Sequence, residues 1–250
     1  MTDLGVQLYT VRRFLKDSDM INATLSELIS IGYSSFQLYG NLKKLEELAS
    51  ATRECGATIV GALVTHNEFT SEPGKLFDIC QKYQIPDLGV SSNRTECKNI
   101  CEYIEKTNAL AKEARAHGIS FSYHNHSHEF IQDESCKCPM EYMLEQFTAD
   151  VDFMPDTYWL QHGGVDVRRF LEITKGRVKI LHLKDMKRTE EGHTYAEVGS
   201  GNLYFEGIIS TAISAGVTNL IVEQDECEIS PLVSLKKSYD YTTKLLKGVI

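Results

Sequence analysis

A short apolar run followed by an amphipathic helical stretch recurs eight times along this 250-residue chain. That alternation limits the fold more than any single motif does. The expected strands are Leu4–Tyr9, Tyr33–Leu38, Thr58–Val64, Pro86–Val90, Ile119–Asn125, Val151–Met154, Val178–Leu183 and Asn219–Val222. Between them the 3.6-residue periodicity predicts helices over Ser18–Ile31, Leu42–Glu54, Gly74–Tyr83, Glu96–His117, Met140–Phe147, Val167–Thr174 and Phe205–Ala215, with Leu232–Leu246 closing the chain. Gly32, Gly56, Gly118, Gly176 and Gly216 stand where helix C-terminal caps belong. No linker or low-complexity break interrupts the series, so residues 1–250 read as one α/β domain, a (β/α)8 TIM barrel. An open doubly wound sheet is the competitor, but it carries a glycine-rich phosphate turn early in the chain. Gly199-Ser200-Gly201 comes too late and is too short for that turn. The stretch Lys187–Leu203 reads as the longest irregular loop, of the kind that covers a substrate in barrel enzymes.

Charge and composition narrow the partners. A net charge of −9 disfavours a nucleic-acid or anionic membrane surface. No apolar run reaches the ~20 residues of a membrane span, and no signal peptide opens the chain, so a cytoplasmic location is expected. The seven cysteines are an odd, scattered set and form no disulfide framework. Cys136 and Cys138 are a close pair without a second pair, which is a poor zinc site.

In a barrel all strand C-termini open at one mouth, so polar residues at strand ends converge there from distant sequence. The first strand offers Gln7 and Tyr9, with Arg12 beyond, and the third ends at His66. The fifth runs into Tyr123-His-Asn-His-Ser-His-Glu129, the sixth into Asp156, and the seventh into His182 and Lys184. The eighth ends at Glu223 and Asp225. Strand alternation puts His182 and Lys184 on one face and Asp185 on the other, as scaffolding. Carboxylates with an imidazole suit one divalent ion, Mn, Mg, Co, Zn or Fe. Bland roles exist as well. Asp156 after Pro155 is well placed to cap a helix, and a His124/His126 pair could be satisfied within the core. Glu223 beside the apolar run Leu220–Val222 has the weakest bland reading, because a buried lone carboxylate is costly.

The segments Gly5–Arg12, Tyr123–Phe130, Asp156–Trp159 with Gly163-Gly164, His182–Met186, Val198–Asn202 and Val222–Cys227 together resemble the sugar phosphate isomerase/epimerase family. These are xylose isomerase-like TIM barrels that include inosose dehydratases and ketose 3-epimerases. The resemblance implies a metal set of a strand-five carboxylate, Asp156, His182 and Glu223. Glu129 is the expected strand-five ligand, although it lies on the opposite alternation parity, and His124 is the alternative. It further implies Glu129, Glu223 and Lys184 as catalytic groups. Gln7, Tyr9, Arg12, His66, His124, His126 and Trp159 are then expected to touch substrate. Ser200 departs from the acidic residue often found between the two loop glycines, and Met154-Pro155 precedes the strand-six aspartate.

The expected activity is isomerisation or epimerisation of a sugar or sugar phosphate through a metal-stabilised enediolate. A keto-sugar or inosose-type dehydratase or lyase on the same site is the alternative. An endonuclease-type phosphodiesterase and a non-catalytic sugar-binding barrel stand further behind. Tyr158 and Trp159 either stack on a sugar ring or line a contact between copies of a homo-oligomer.

Overall fold

The computed structural model describes residues 3–248. Among the described residues there are ten strands: β1 (Asp3–Gln7), β2 (Ser35–Tyr39), β3 (Thr58–Thr65), β4 (Asp87–Ser91), β5 (Ser120–His124), β6 (Val151–Met154), β7 (Ile180–Leu183), β8 (Asp185–Thr189), β9 (Gly192–Ala196) and β10 (Asn219–Val222). Seven parallel pairings join eight of them in the order β6-β5-β4-β3-β2-β1-β10-β7. The remaining gap, between β6 and β7, is bridged at Phe153–Val178 and at Asp156–His182, where His182 N donates to Pro155 O at 2.9 Å. The second of these bridges closes the barrel at its C-terminal rim, through two of the residues singled out above.

Burial explains the layering. β7 alternates Ile180 and His182 toward the barrel axis with Leu181 and Leu183 toward the helices, as a two-residue period requires. Val60, Met154, Ile180 and Ile221 form a small apolar plug on the axis, while the main core lies between sheet and helices. A register shift between β2 and β3 leaves Val60 unpaired against the Phe36–Gln37 step, the geometry of a bulge. It accompanies the turning of Gln37 into the axis, where Gln37 accepts from Gln7 Nε2 at 2.7 Å.

Seven helices match their expected bounds or shift by a residue at most at either end: Ser18–Ile31, Leu42–Glu54, Pro73–Tyr83, Pro139–Gln146, Val167–Ile173, Phe205–Ala215 and Pro231–Leu246. Three departures matter. The segment expected as one helix over Glu96–His117 is two, Arg94–Cys97 and Ile100–Ala116, the first started by a capping box between Asn93 and Glu96. The first strand stops at Gln7, and Leu8–Phe14 winds into a 3-10 helix that carries Tyr9 and Arg12. Most of the antiparallel β8–β9 hairpin, which begins at Asp185, falls in the stretch expected as an irregular loop, and its backbone pairs satisfy groups that a bare loop would leave to water. Among the described residues no helix is long and apolar enough to cross a membrane.

Candidate metal centre and substrate cavity

His124 ends β5, His182 lies in β7, Glu223 follows β10, and Asp156 follows Pro155 after β6. The barrel brings one ligand atom from each within 4.8 Å of the others, and all four residues are buried. Asp156 does two jobs. Its Oδ1 accepts from Trp159 N at 3.0 Å and caps the helix Thr157–His162, a helix the sequence pattern had hidden. Its Oδ2 points at the group instead, 3.5 Å from His124 Nε2 and 4.0 Å from His182 Nδ1. Asn125 Oδ1 accepts from Asp156 N at 3.0 Å and fixes that backbone.

His182 Nε2 lies 2.6 Å from Gln37 Oε1, an atom that can only accept, so Nε2 carries the hydrogen. Nδ1 then presents its lone pair to Glu223 Oε2 at 2.9 Å. Two lone-pair atoms that close need a cation or a proton between them. Neither ring nitrogen of His124 has a hydrogen-bond partner, though the residue is buried. Unmet buried donor atoms of this kind are costly, and a shared divalent ion would satisfy one of them. The residues therefore fit a metal ion. His124, Asp156, His182 and Glu223 would hold it.

Lys184 completes the electrostatics. Its buried Nζ stands 2.9 Å from Asp156 Oδ2, 2.9 Å from Glu223 Oε2 and 3.1 Å from Asp225 Oδ2. Burial works to lower the Lys184 ammonium, but the three carboxylates outweigh it and hold the group well above its ordinary value. Burial likewise raises Asp156 and Glu223. Lys184 reverses this and leaves both carboxyls below the usual range. For Asp225 burial prevails and the carboxyl is raised. Thr157 Oγ1 pins the Lys184 backbone, accepting from its N–H at 2.9 Å and donating to its carbonyl at 2.8 Å.

Above the group opens a cavity of about 620 Å³. Tyr9, Arg12, His124, His126, Trp159, Lys184 and Glu223 line it, as do Tyr39, Tyr195, Asp225 and Glu226. Tyr195 comes from the β8–β9 hairpin and Tyr39 from the end of β2; neither carried a signal in the sequence, because each needs the fold to reach the mouth. Burial brings His126 down to about 3, so it is a neutral ring on the cavity wall.

Three expected residues lie elsewhere. Glu129 is not in the four-residue group. The chain leaves β5 after His124 and folds through the 3-10 turn His128–Phe130. Glu129 is thereby turned back, and its oxygens accept from Tyr123 Oη at 2.7 Å and from His126 N at 3.0 Å. Its oxygens also lie near the His126 and His128 rings, but its contacts make it the brace that sets the His126 backbone. His66, expected at the substrate, opens the helix His66–Ser71 and packs tilted against the Tyr103 ring, centroids 4.4 Å apart, lining a separate cavity with Glu96. Gln7 is fully buried beneath the group, where it orients Gln37 and so His182.

Residues 40–244 match the family model described as xylose isomerase-like TIM barrel. The inosose dehydratase of Salmonella typhimurium is 25% identical over 195 residues, covering 70% of this chain and 61% of that protein, so the chain spans about three fifths of that relative's length. A sugar phosphate isomerase/epimerase structure from Parabacteroides distasonis superposes with a TM-score of 0.76 at 20% identity, covering 98% of each chain. A xylose isomerase-like TIM barrel protein from Mycobacterium smegmatis, in complex with magnesium, gives 0.74 at 13% identity over 99% of this chain and 97% of its own. With eight parallel strands closed around a strand-end His/Asp/His/Glu group, and a family match running from just after β2 to the last helix, this chain belongs to the xylose isomerase-like TIM barrel family.

Proposed function

We propose that this chain is a divalent-metal-dependent isomerase or epimerase of a sugar, with His124, Asp156, His182 and Glu223 as the metal ligands. The observation that carries the reading is the buried four-residue group at the foot of an aromatic-walled cavity, with both ring nitrogens of His124 lacking a hydrogen-bond partner. Two imidazoles and two carboxylates favour Mn²⁺, Fe²⁺, Co²⁺ or Zn²⁺ over a purely oxygen-liganded ion. When bound, such an ion supplies Lewis acidity to a carbonyl and a neighbouring hydroxyl, which makes the adjoining C–H acidic.

The chain's own groups do the rest. Glu223 is held ionised by Lys184 and lines the cavity, where its carboxylate takes the proton from carbon. Lys184 places a fixed ammonium beside the oxygen on which negative charge develops in an enediolate. Asp225, raised by burial and within reach of Lys184, is placed to return a proton to the other carbon or the other face. Tyr9, Tyr39, Trp159 and Tyr195 offer aromatic faces to the sugar's C–H surfaces and keep water from the reacting bond.

Loss of water from a keto-sugar begins with the same proton abstraction, and the inosose dehydratase relative favours it as the second reading. Purified protein loaded with Mn²⁺, Co²⁺ or Zn²⁺ is incubated with keto-sugars in D₂O and followed by NMR. Deuterium at the carbon next to the carbonyl, with a rearranged sugar, is the expected result; an unsaturated or dicarbonyl product identifies the dehydratase instead. No exchange and no product with any metal overturns both.

A further inference from the structure

A second cavity, of about 390 Å³, lies between the helix His66–Ser71 and the helices Arg94–Cys97 and Ile100–Ala116. It shares no lining residue with the substrate cavity, and every described residue on its wall has a polar side chain. His66 and Tyr103 form its most enclosed part, at 6% and 3% exposure. Among the described residues, His66 Nε2 and Tyr103 Oη each lack a hydrogen-bond partner. Buried polar atoms are rarely left unmet, and two on one cavity wall point to something that occupies the space.

The hydrogen-bond roles of these two atoms restrict the occupant. His66 Nδ1 faces Glu96 Oε1 at 3.4 Å. A carboxylate only accepts, so Nδ1 carries the hydrogen and Nε2 presents a lone pair. Burial outweighs Glu96 and holds the ring below its ordinary value, which keeps it neutral. Burial likewise keeps the Tyr103 phenol protonated, with a hydrogen to give. One hydroxyl group that accepts from Tyr103 and donates to His66 meets both needs. An ammonium only donates and leaves the Tyr103 hydrogen unmet; an ionised phosphate oxygen only accepts and leaves Nε2 unmet. The charges on the wall are also matched already. Glu96 Oε2 accepts from Asn93 N at 2.7 Å. Glu102 pairs with Lys106 Nζ at 2.6 Å and accepts from Asn99 Nδ2, which leaves Asn99 Oδ1 as a further acceptor. One water could bridge His66 and Tyr103, but it fills only about 30 Å³, and the whole space lies within the ~300–1,000 Å³ of small-molecule pockets.

We propose that this cavity is a second ligand site, which takes a small neutral polyol through hydroxyl groups set against His66, Tyr103 and Asn99. Thr65 lines the substrate cavity and His66 lines this one, so the two sites meet at the end of β3. The site stands on its own geometry, whether or not the reaction proposed above is the right one.

The experiment titrates the full-length, ¹⁵N-labelled protein in EDTA with glycerol, D-glucose and myo-inositol, and follows the His66 imidazole nitrogens by NMR. Ethylammonium and inorganic phosphate are titrated separately. A saturable shift of His66 Nε2 with glucose or inositol is expected, with a Kd of about 1 mM or below. Tyr103→Phe keeps the ring and removes the hydroxyl, so it is expected to weaken that binding about tenfold. Its melting temperature should stay the same or rise, because the lost hydroxyl has no partner in the free protein. Glu223→Gln, on the other cavity, should leave the His66 response unchanged. No saturable shift with any polyol overturns the proposal and leaves the cavity to water. Tighter binding of ethylammonium or phosphate than of the polyols overturns the ligand class. A His66 response that Glu223→Gln abolishes and Tyr103→Phe does not touch belongs to the substrate cavity, and overturns the second site.

Discussion

Replacing Lys184 with methionine removes one positive charge from among Asp156, Glu223 and Asp225 while nearly conserving side-chain volume. The ammonium is buried and lies within 3.1 Å of all three carboxylates. Breaking a buried ion pair from one side costs about 3–5 kcal/mol, because the partner charges stay behind without compensation. At about 2–4 °C per kcal/mol for a chain of this size, the metal-free variant should melt roughly 6–20 °C lower near pH 8. The pH dependence follows from the shifts. Asp156 and Glu223 lie below their ordinary values in the folded protein. Their stabilisation is therefore present above the unfolded carboxylate pKa and is lost as pH falls through the folded one. Without Lys184, burial dominates and both folded values rise above the unfolded ones. The variant then gains relative stability as these groups protonate, and the difference between the two proteins closes from pH 8 toward pH 4. A divalent ion should restore much of the loss at high pH, by about 2.7 kcal/mol at a hundredfold excess over its Kd. Thermal melts with EDTA or Mn²⁺ across that pH range read all three effects. Equal melting temperatures in EDTA at pH 8, or a gap that widens toward acid, would refute the electrostatic account.

His124→Ala should lower Mn²⁺ affinity by roughly 10–100-fold or more, whereas Glu129→Gln should change it far less; calorimetric titration compares them, and the opposite order would return Glu129 to the ligand set. Burial pushes Asp87, which accepts from Ser122 Oγ at 2.7 Å, up to about 7. Its folded pKa exceeds the unfolded one, so it favours the folded state at low pH and costs stability as pH rises from about 4 to 7, by at most about 1.4 kcal/mol per unit. Asp87→Asn should flatten that slope in urea melts and raise stability at pH 8; an unchanged slope would show that Asp87 is ionised in the fold.

Much of the architecture is legible in the chain itself. The helices Ser18–Ile31 and Leu42–Glu54 are bounded by side-chain N-caps at Asp17 and Asn41 and closed before Gly32 and Gly56, all local signals. The Thr157–His162 helix was hidden because its cap, Asp156, is also a member of the buried His/Asp/His/Glu group, and a six-residue helix has too little periodicity to announce itself. The β8–β9 hairpin escaped notice because its strands are polar and mostly half-exposed or exposed, without the apolar alternation of a buried strand. Tyr195 reaches the cavity only through that hairpin.

The chain alone determined the eightfold alternation, and with it the convergence of Asp156, His182, Lys184 and Glu223 on one mouth, because strand period and parallel connection leave little other choice. Only the tertiary structure decided the contribution from β5. Alternation assigns faces while the chain stays extended, and it stops doing so at His124. The turn beyond folds Glu129 back onto Tyr123 and the His126 amide, and leaves the His124 ring, without a hydrogen-bond partner, facing Asp156 and His182. Which of two nearby side chains meets a site is set by where the strand ends, and that depends on the packing of the whole barrel rim.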